Sequence, residues 1–163
     1  MPFYNTSSAI GVDFNSTSTT ALFTLNEVMR GSNDTEWTYV KASGALITGQ
    51  MVTIASAGTA IKANTTSLMT GTNDLGFVQG NFADQEYGWV VKRGMNVSVL
   101  CSGTAAPNAL LYLSTNSNGG ISTTAGSGTL AGIQLIASAS TASLVLTTAI
   151  LTYPRCTAIT SNM

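Results

Sequence analysis

Short apolar runs, each cut after a few residues by Gly, Asn, Ser or Pro, recur along almost the whole chain. A run of this length, rich in β-branched and aromatic residues and bounded by turn-forming residues, reads as a β-strand. Glu36–Ala42 alternates clearly after the turn signal Gly31-Ser32-Asn33-Asp34. Ala45–Ile47, Met51–Ala55, Thr59–Ala63 and Leu75–Phe82 follow as further strand-length runs. Tyr87–Gly94 and Asn96–Leu100 then read as two strands of a hairpin turning at Arg93-Gly94-Met95. Ala109–Ser114, a minor strand at Ile121, Ala131–Ile136 and Ser143–Thr152 complete the series. The last run is long and apolar on both faces, which predicts a central or covered strand.

No segment carries a helical stripe with capping residues at both ends. Ala21–Arg30 alone is ambiguous, since its pattern suits two turns of helix as well as short strands. The fold class expected is therefore all-β, an antiparallel β-sandwich or barrel of jelly-roll-like type with an extended N-terminal arm. Residues 1–20 are rich in Ser, Thr and Asn and form the arm, and 21–163 form a single β domain. Phe3, Tyr4, Ile10, Val12 and Phe14 are the isolated apolar points of the arm and the candidate contacts with a partner or neighbouring subunit.

Charge narrows the function classes. Only 8% of residues are charged and the net charge is -1, against about a quarter charged in an ordinary soluble domain. Between Arg93 and Arg155 there is no Asp, Glu, Lys or Arg at all. Six scattered basic residues give no footprint for direct nucleic-acid binding, and so weak a net charge favours self-association over free diffusion. The N-terminus has no basic region followed by an apolar one, and no run is long enough to span a bilayer, so synthesis in the cytoplasm and no membrane partner are expected. Asn-x-Ser/Thr sequons such as Asn64-Thr65-Thr66 then reflect composition alone.

The chain holds no His, which removes the commonest general base and metal ligand. Its acids stand mostly in predicted turns. Asp84 and Glu86 are the one conceivable carboxylate pair for glycoside chemistry, but they share a single short turn. Gly119-Gly120 and Gly126-Ser127-Gly128 lack the Lys of a phosphate loop. Cys101 and Cys156 read as buried small hydrophobes, too few for a disulfide framework or zinc site. Trp37, Tyr39, Tyr87 and Trp89 fall in alternating strands and read chiefly as packing residues, with an aromatic partner surface as the other reading. No catalytic residue, cofactor or metal is expected, and the chain reads as no enzyme.

The succession Glu36-Trp37-Thr38-Tyr39-Val40-Lys41-Ala42-Ser43-Gly44-Ala45, Gly76-Phe77-Val78-Gln79, Tyr87-Gly88-Trp89-Val90-Val91-Lys92-Arg93-Gly94, Ala109-Leu110-Leu111-Tyr112 and Leu151-Thr152-Tyr153-Pro154-Arg155 resembles small structural proteins encoded beside the major capsid protein in tailed bacteriophages. These are capsid decoration, or cement, proteins, and the likeness runs over about residues 20 to 156 as an order of short pieces. It implies a β-rich body, often a homotrimer, on the outside of the virion head, bound to the major capsid protein across joints between capsomers. The arm residues Phe3, Tyr4, Ile10, Val12 and Phe14 would then meet capsid or a neighbouring subunit. The rival readings are a head-fibre or tail-associated β protein, and a carbohydrate-binding adhesin with Trp37, Trp89 and the Tyr residues as its platform.

Overall fold

The structure is a computed structural model, and it describes residues 8–9, 11–64, 74–114, 119–123 and 128–158. Its regular elements are all strands. They are β1 (Ser8–Ala9), β2 (Val12–Asp13), β3 (Val28–Arg30), β4 (Glu36–Ala42), β5 (Met51–Ile54), β6 (Thr59–Lys62), β7 (Leu75–Val78), β8 (Tyr87–Ala105), β9 (Leu111–Leu113), β10 (Ile121–Ser122), β11 (Gly128–Leu135) and β12 (Ala139–Ala158). The first two pair only with each other, and the rest form one ten-stranded sheet. The all-β, barrel-like class expected from the sequence is thus the class observed. Most pairings are antiparallel, but β4 with β6 and β8 with β10 run parallel.

The organising element is β8, at 19 residues. Straight, it would be about 60 Å long, whereas a domain of this size is roughly 40 Å across, so it must bend. It does so where the sequence suggested a hairpin. Leu151 of β12 faces Gly94 and Ala149 faces Val97, so Met95 and Asn96 together oppose the single residue Ile150. Gly94 at φ 148° and Asn96 at φ 58° absorb the extra residue, the geometry of a β-bulge. The expected hairpin of Tyr87–Gly94 with Asn96–Leu100 is therefore corrected to one continuous bent strand. A Gly flanked by bulky residues signals a bulge as readily as a turn.

Each half of β8 closes its own ring of strands. The first half pairs with β4 on one side and β7 on the other, and β7–β5–β6–β4 completes a five-membered circuit. Val40, Ala42, Val52, Ile54, Ala60, Val78 and Val90 fill its interior, with Leu46 and Phe82 in the same cluster. Gly88 makes room for the Phe82 ring, because a Cβ there would lie 2.8 Å from two of its carbons. The second half pairs with β12 and, in parallel, with β10, and β12–β11–β9–β10 completes a second circuit. Val99, Cys101, Leu111, Leu113, Ile121, Leu130 and Ala149 turn inward there. Their cluster runs on to the outer face of the first barrel, where alternation places Trp37, Tyr39, Phe77, Trp89 and Val91.

β12 is central, between β11 and β8, one of the two placements its apolar run allowed. It tolerates Pro154 because the strand bulges there. Ala131 faces Arg155 and Ile133 faces Leu151, so Thr152, Tyr153 and Pro154 oppose Gly132 alone, and a bulge removes the demand for the N–H that Pro lacks. Ala21–Arg30 forms no helix. After a turn at Leu25-Asn26, Val28–Arg30 pairs with β4.

The expected division at residue 20 does not describe how the chain packs. The Ser18 and Tyr87 backbones exchange hydrogen bonds of 2.9 and 2.8 Å, and Phe14 is 1% exposed within the larger core cluster. From residue 11 onward the supposed arm is part of the body.

Two stability predictions follow from this packing. Phe14→Ala should lower the unfolding free energy by about 3 kcal/mol or more, the cost of emptying a buried aromatic site, read as a shifted urea midpoint; a loss under about 1 kcal/mol would mean the residue belongs to a loose arm. Gly132→Ala should cost more than about 1 kcal/mol, because φ is +76° and a Cβ would stand 2.7 Å from the Thr152 carbonyl oxygen; an unchanged midpoint would contradict the bulge geometry.

Candidate interaction surface

The five apolar arm residues fare differently. Phe14 stacks flat on Trp37 at 4.8 Å and meets the edge of Trp89 at 5.3 Å. Its side chain is spent inside its own domain, so the reading of Phe14 as a partner contact is corrected. Val12 is half-buried against the same core. Phe3, Tyr4 and Ile10 lie outside the residues whose side chains the structure describes.

The strand aromatics form an internal cluster. Phe23 packs edge-on to Tyr39 at 5.3 Å and to Trp89 at 5.1 Å, and the Tyr39 hydroxyl accepts a 3.0 Å hydrogen bond from the Leu22 N–H. Trp37, Tyr39 and Trp89 are at most 3% exposed. Tyr87 is half-buried, with Lys41 5.5 Å over its ring, and away from this cluster Tyr153 of β12 is exposed. A cavity of about 280 Å³ beside Tyr39, Tyr87 and Trp89 is walled by Val12, Phe23 and the Ser16–Ser18 backbone. Through Phe14 and Phe23 these rings hold residues 11–23 onto the barrel.

All seven acids of the chain are engaged in local structure. Asp34 pairs with Arg93 and Asp74 with Lys92. Asp13 accepts the Asn15 N–H at 3.0 Å, Glu27 the Thr24 N–H at 3.1 Å, and Glu36 the Tyr153 hydroxyl at 3.1 Å. Asp84 accepts the Gly44 N–H at 2.6 Å, while Glu86 accepts the Ala83 N–H at 2.8 Å. The Gly44 N–H, with the Gln85 side chain next, holds the Asp84 carboxyl below its ordinary value. Through that bond Asp84 clasps its own turn to the loop at Gly44. Among the described residues no three His, Cys, Asp or Glu groups gather as metal ligands. Cys101 and Cys156 are buried free thiols, and burial pushes both up from the ordinary thiol value, the inert condition.

What the surface offers is a neutral apolar face. On the second barrel the residues of β12 that point outward include Leu146, 57% exposed, and just past the end of β11 Ile136, 41% exposed, bonds its N–H to the Thr148 carbonyl two residues along from Leu146. Leu146 faces Leu100 across the β12–β8 pair, and the Thr48–Gly49 turn lies against both, with Ile47 exposed next to it. Met95, at the bulge, is also exposed. No charged side chain occurs between Arg93 and Arg155, so the strands carrying this face contribute none to it up to Arg155. The sequence contained the signal in the charge-free stretch. It did not reveal which apolar residues point outward, because that depends on register.

A scan against family models finds no match, and comparison with curated proteins finds none either. The fold and its surfaces therefore carry the functional argument.

The Asp84 clasp has a pH signature. A carboxyl whose folded pKa is lowered contributes stability that is full above its unfolded value, about 3.9, and is lost as pH falls through the lowered value. Asp84→Asn should therefore lose less stability than the parent between about pH 5 and pH 2.5, measured as the change in urea midpoint; identical losses would show that the clasp is not formed.

Proposed function

We propose that this chain is a structural virion protein, a capsid decoration or cement protein that binds the outer surface of a phage head as a homo-oligomer, in its simplest form a trimer. Its partners on this reading are the major capsid protein and its own copies, with no nucleic acid and no membrane involved. The supporting observation is the second barrel, which exposes Leu146 and Ile136 on a face whose strands bring no charge from residue 94 to 154, with Ile47 exposed beside it on the β4–β5 loop of the first barrel.

Such a face suits burial. Removing charges from water costs several kcal/mol per ion, whereas apolar area returns about 25 cal/mol per Å², so a neutral face can be covered by several neighbours without the penalty of desolvating charges. Weak contacts repeated around an oligomer then hold by avidity. Two closed rings of strands also leave little edge for unwanted pairing when copies crowd together. The resemblance to decoration proteins agrees with this reading. The adhesin alternative requires an exposed aromatic platform of Trp37, Trp89 and the Tyr residues; Trp37, Trp89 and Tyr39 are buried, and of the Tyr side chains Tyr153 is the exposed one among those described.

The test uses purified protein and undecorated heads of a tailed phage carrying this gene beside its capsid gene. The expected outcome is saturable binding with raised resistance of the heads to heat or chelator. Leu146→Lys with Ile136→Lys should reduce binding at least tenfold while leaving thermal unfolding nearly unchanged, as exposed positions do. A protein that stays monomeric and leaves heads bare would overturn the proposal.

A further inference from the structure

Because both rings close, β3 is the one strand of the ten-stranded sheet, among the described residues, with a neighbour on a single side. The Asn26 N–H and Glu27 carbonyl bond to Tyr39, and the Gly31 N–H bonds to Thr35. Antiparallel alternation then turns the N–H and C=O of Val28 and Arg30 away from β4. Among the described residues nothing pairs with this outer row, and such a row is a template for another extended chain.

The same edge adjoins a recess. Between β3 and the β5–β6 turn the first barrel opens into a cavity of about 430 Å³, lined by Val28, Thr38, Ile54, Ala55 and the Lys92–Asp74 pair. Val28 is 53% exposed, and the Thr38 hydroxyl is buried with no hydrogen-bond partner. At the other end of the edge, the Arg30 side chain is 77% exposed and stands 3.9 Å from Glu36, whose carboxylate also accepts the Tyr153 hydroxyl at 3.1 Å. Arg30 is thus a cation held loosely by an acid already in use.

We propose that the outer edge of β3 docks an extended segment of a partner polypeptide that carries an acidic residue two positions before an aliphatic or β-branched one. In antiparallel register the acid lies directly opposite Arg30, and the aliphatic side chain lies opposite Val28, over the recess walled by Ile54 and Ala55. The backbone bonds to Val28 and Arg30 supply the pairing, and the two side chains supply its selectivity. A second copy of β3 does not meet this requirement, because antiparallel self-pairing about Met29 sets Arg30 against Val28. The inference stands independently of the capsid reading.

The test titrates the full-length, ¹⁵N-labelled protein with the blocked peptide Thr-Ser-Glu-Thr-Val-Thr-Ser and with its counterpart bearing Lys in place of Glu. Saturable shifts of the Val28 and Arg30 amides are expected, with the Glu peptide binding about fivefold tighter than the Lys peptide. Arg30→Gln should erase that preference and Arg30→Glu should reverse it, each with the rest of the spectrum unchanged. Shifts that bypass Val28 and Arg30, equal affinity for the two peptides, or a concentration-dependent dimer joined through β3 without peptide would each overturn the proposal.

Discussion

The hydrogen bonding of one strand to four neighbours is the constraint on which this architecture rests. β8 gives its first half to β4 and β7 and its second half to β12 and β10. Each ring is small, and small rings bury few residues apiece, so neither would be expected to stand alone. Sharing a strand makes the outer face of one barrel continuous with the interior of the other, and the larger cluster runs without a break from Trp37 and Trp89 to Leu130 and Cys156. The bend at Gly94–Asn96 makes that sharing possible. It lets two rings of strands use a single backbone.

The two halves divide the work of the surface. Five of the six basic residues and all seven acids precede the bend or sit at it, and the acids are engaged in ion pairs and loop clasps such as Asp74–Lys92, Asp34–Arg93 and Asp84–Gly44. Past the bend the chain is neutral until Arg155. Local ion pairing gives the first barrel definite loops, while neutrality leaves the second free to be covered. On the proposed reading this asymmetry suits an assembly component, with one half defined by its own contacts and one half available to others.

Much of this was legible in the residues. Glu36–Ala42 reads as a strand from its alternation alone and is one to the residue, and the apolar runs at Met51, Thr59 and Leu75 begin strands where they begin. The failures have physical causes. Arg93-Gly94-Met95 has the composition of a turn, but the pairing of both flanks with β12 and β4 holds the strand extended through it. Phe14 sits among Ser, Thr and Asn, so composition describes its neighbourhood as an arm, and only the facing Trp37 and Trp89, distant in sequence, give it a core site. The exposed row of Leu146 and Ile136 and the open edge at β3 depend on register and ring closure, which are long-range properties that periodicity does not encode.

The central claim is that the neutral face of the second barrel exists to be covered. A cryo-electron microscopy map of decorated heads, resolved well enough to trace strands, tests it most directly. The account predicts Leu146 and Ile136, with Ile47 of the adjoining β4–β5 loop, buried against a neighbouring subunit. A map in which that face points to solvent while the charged loops of the first barrel make the contacts would contradict it.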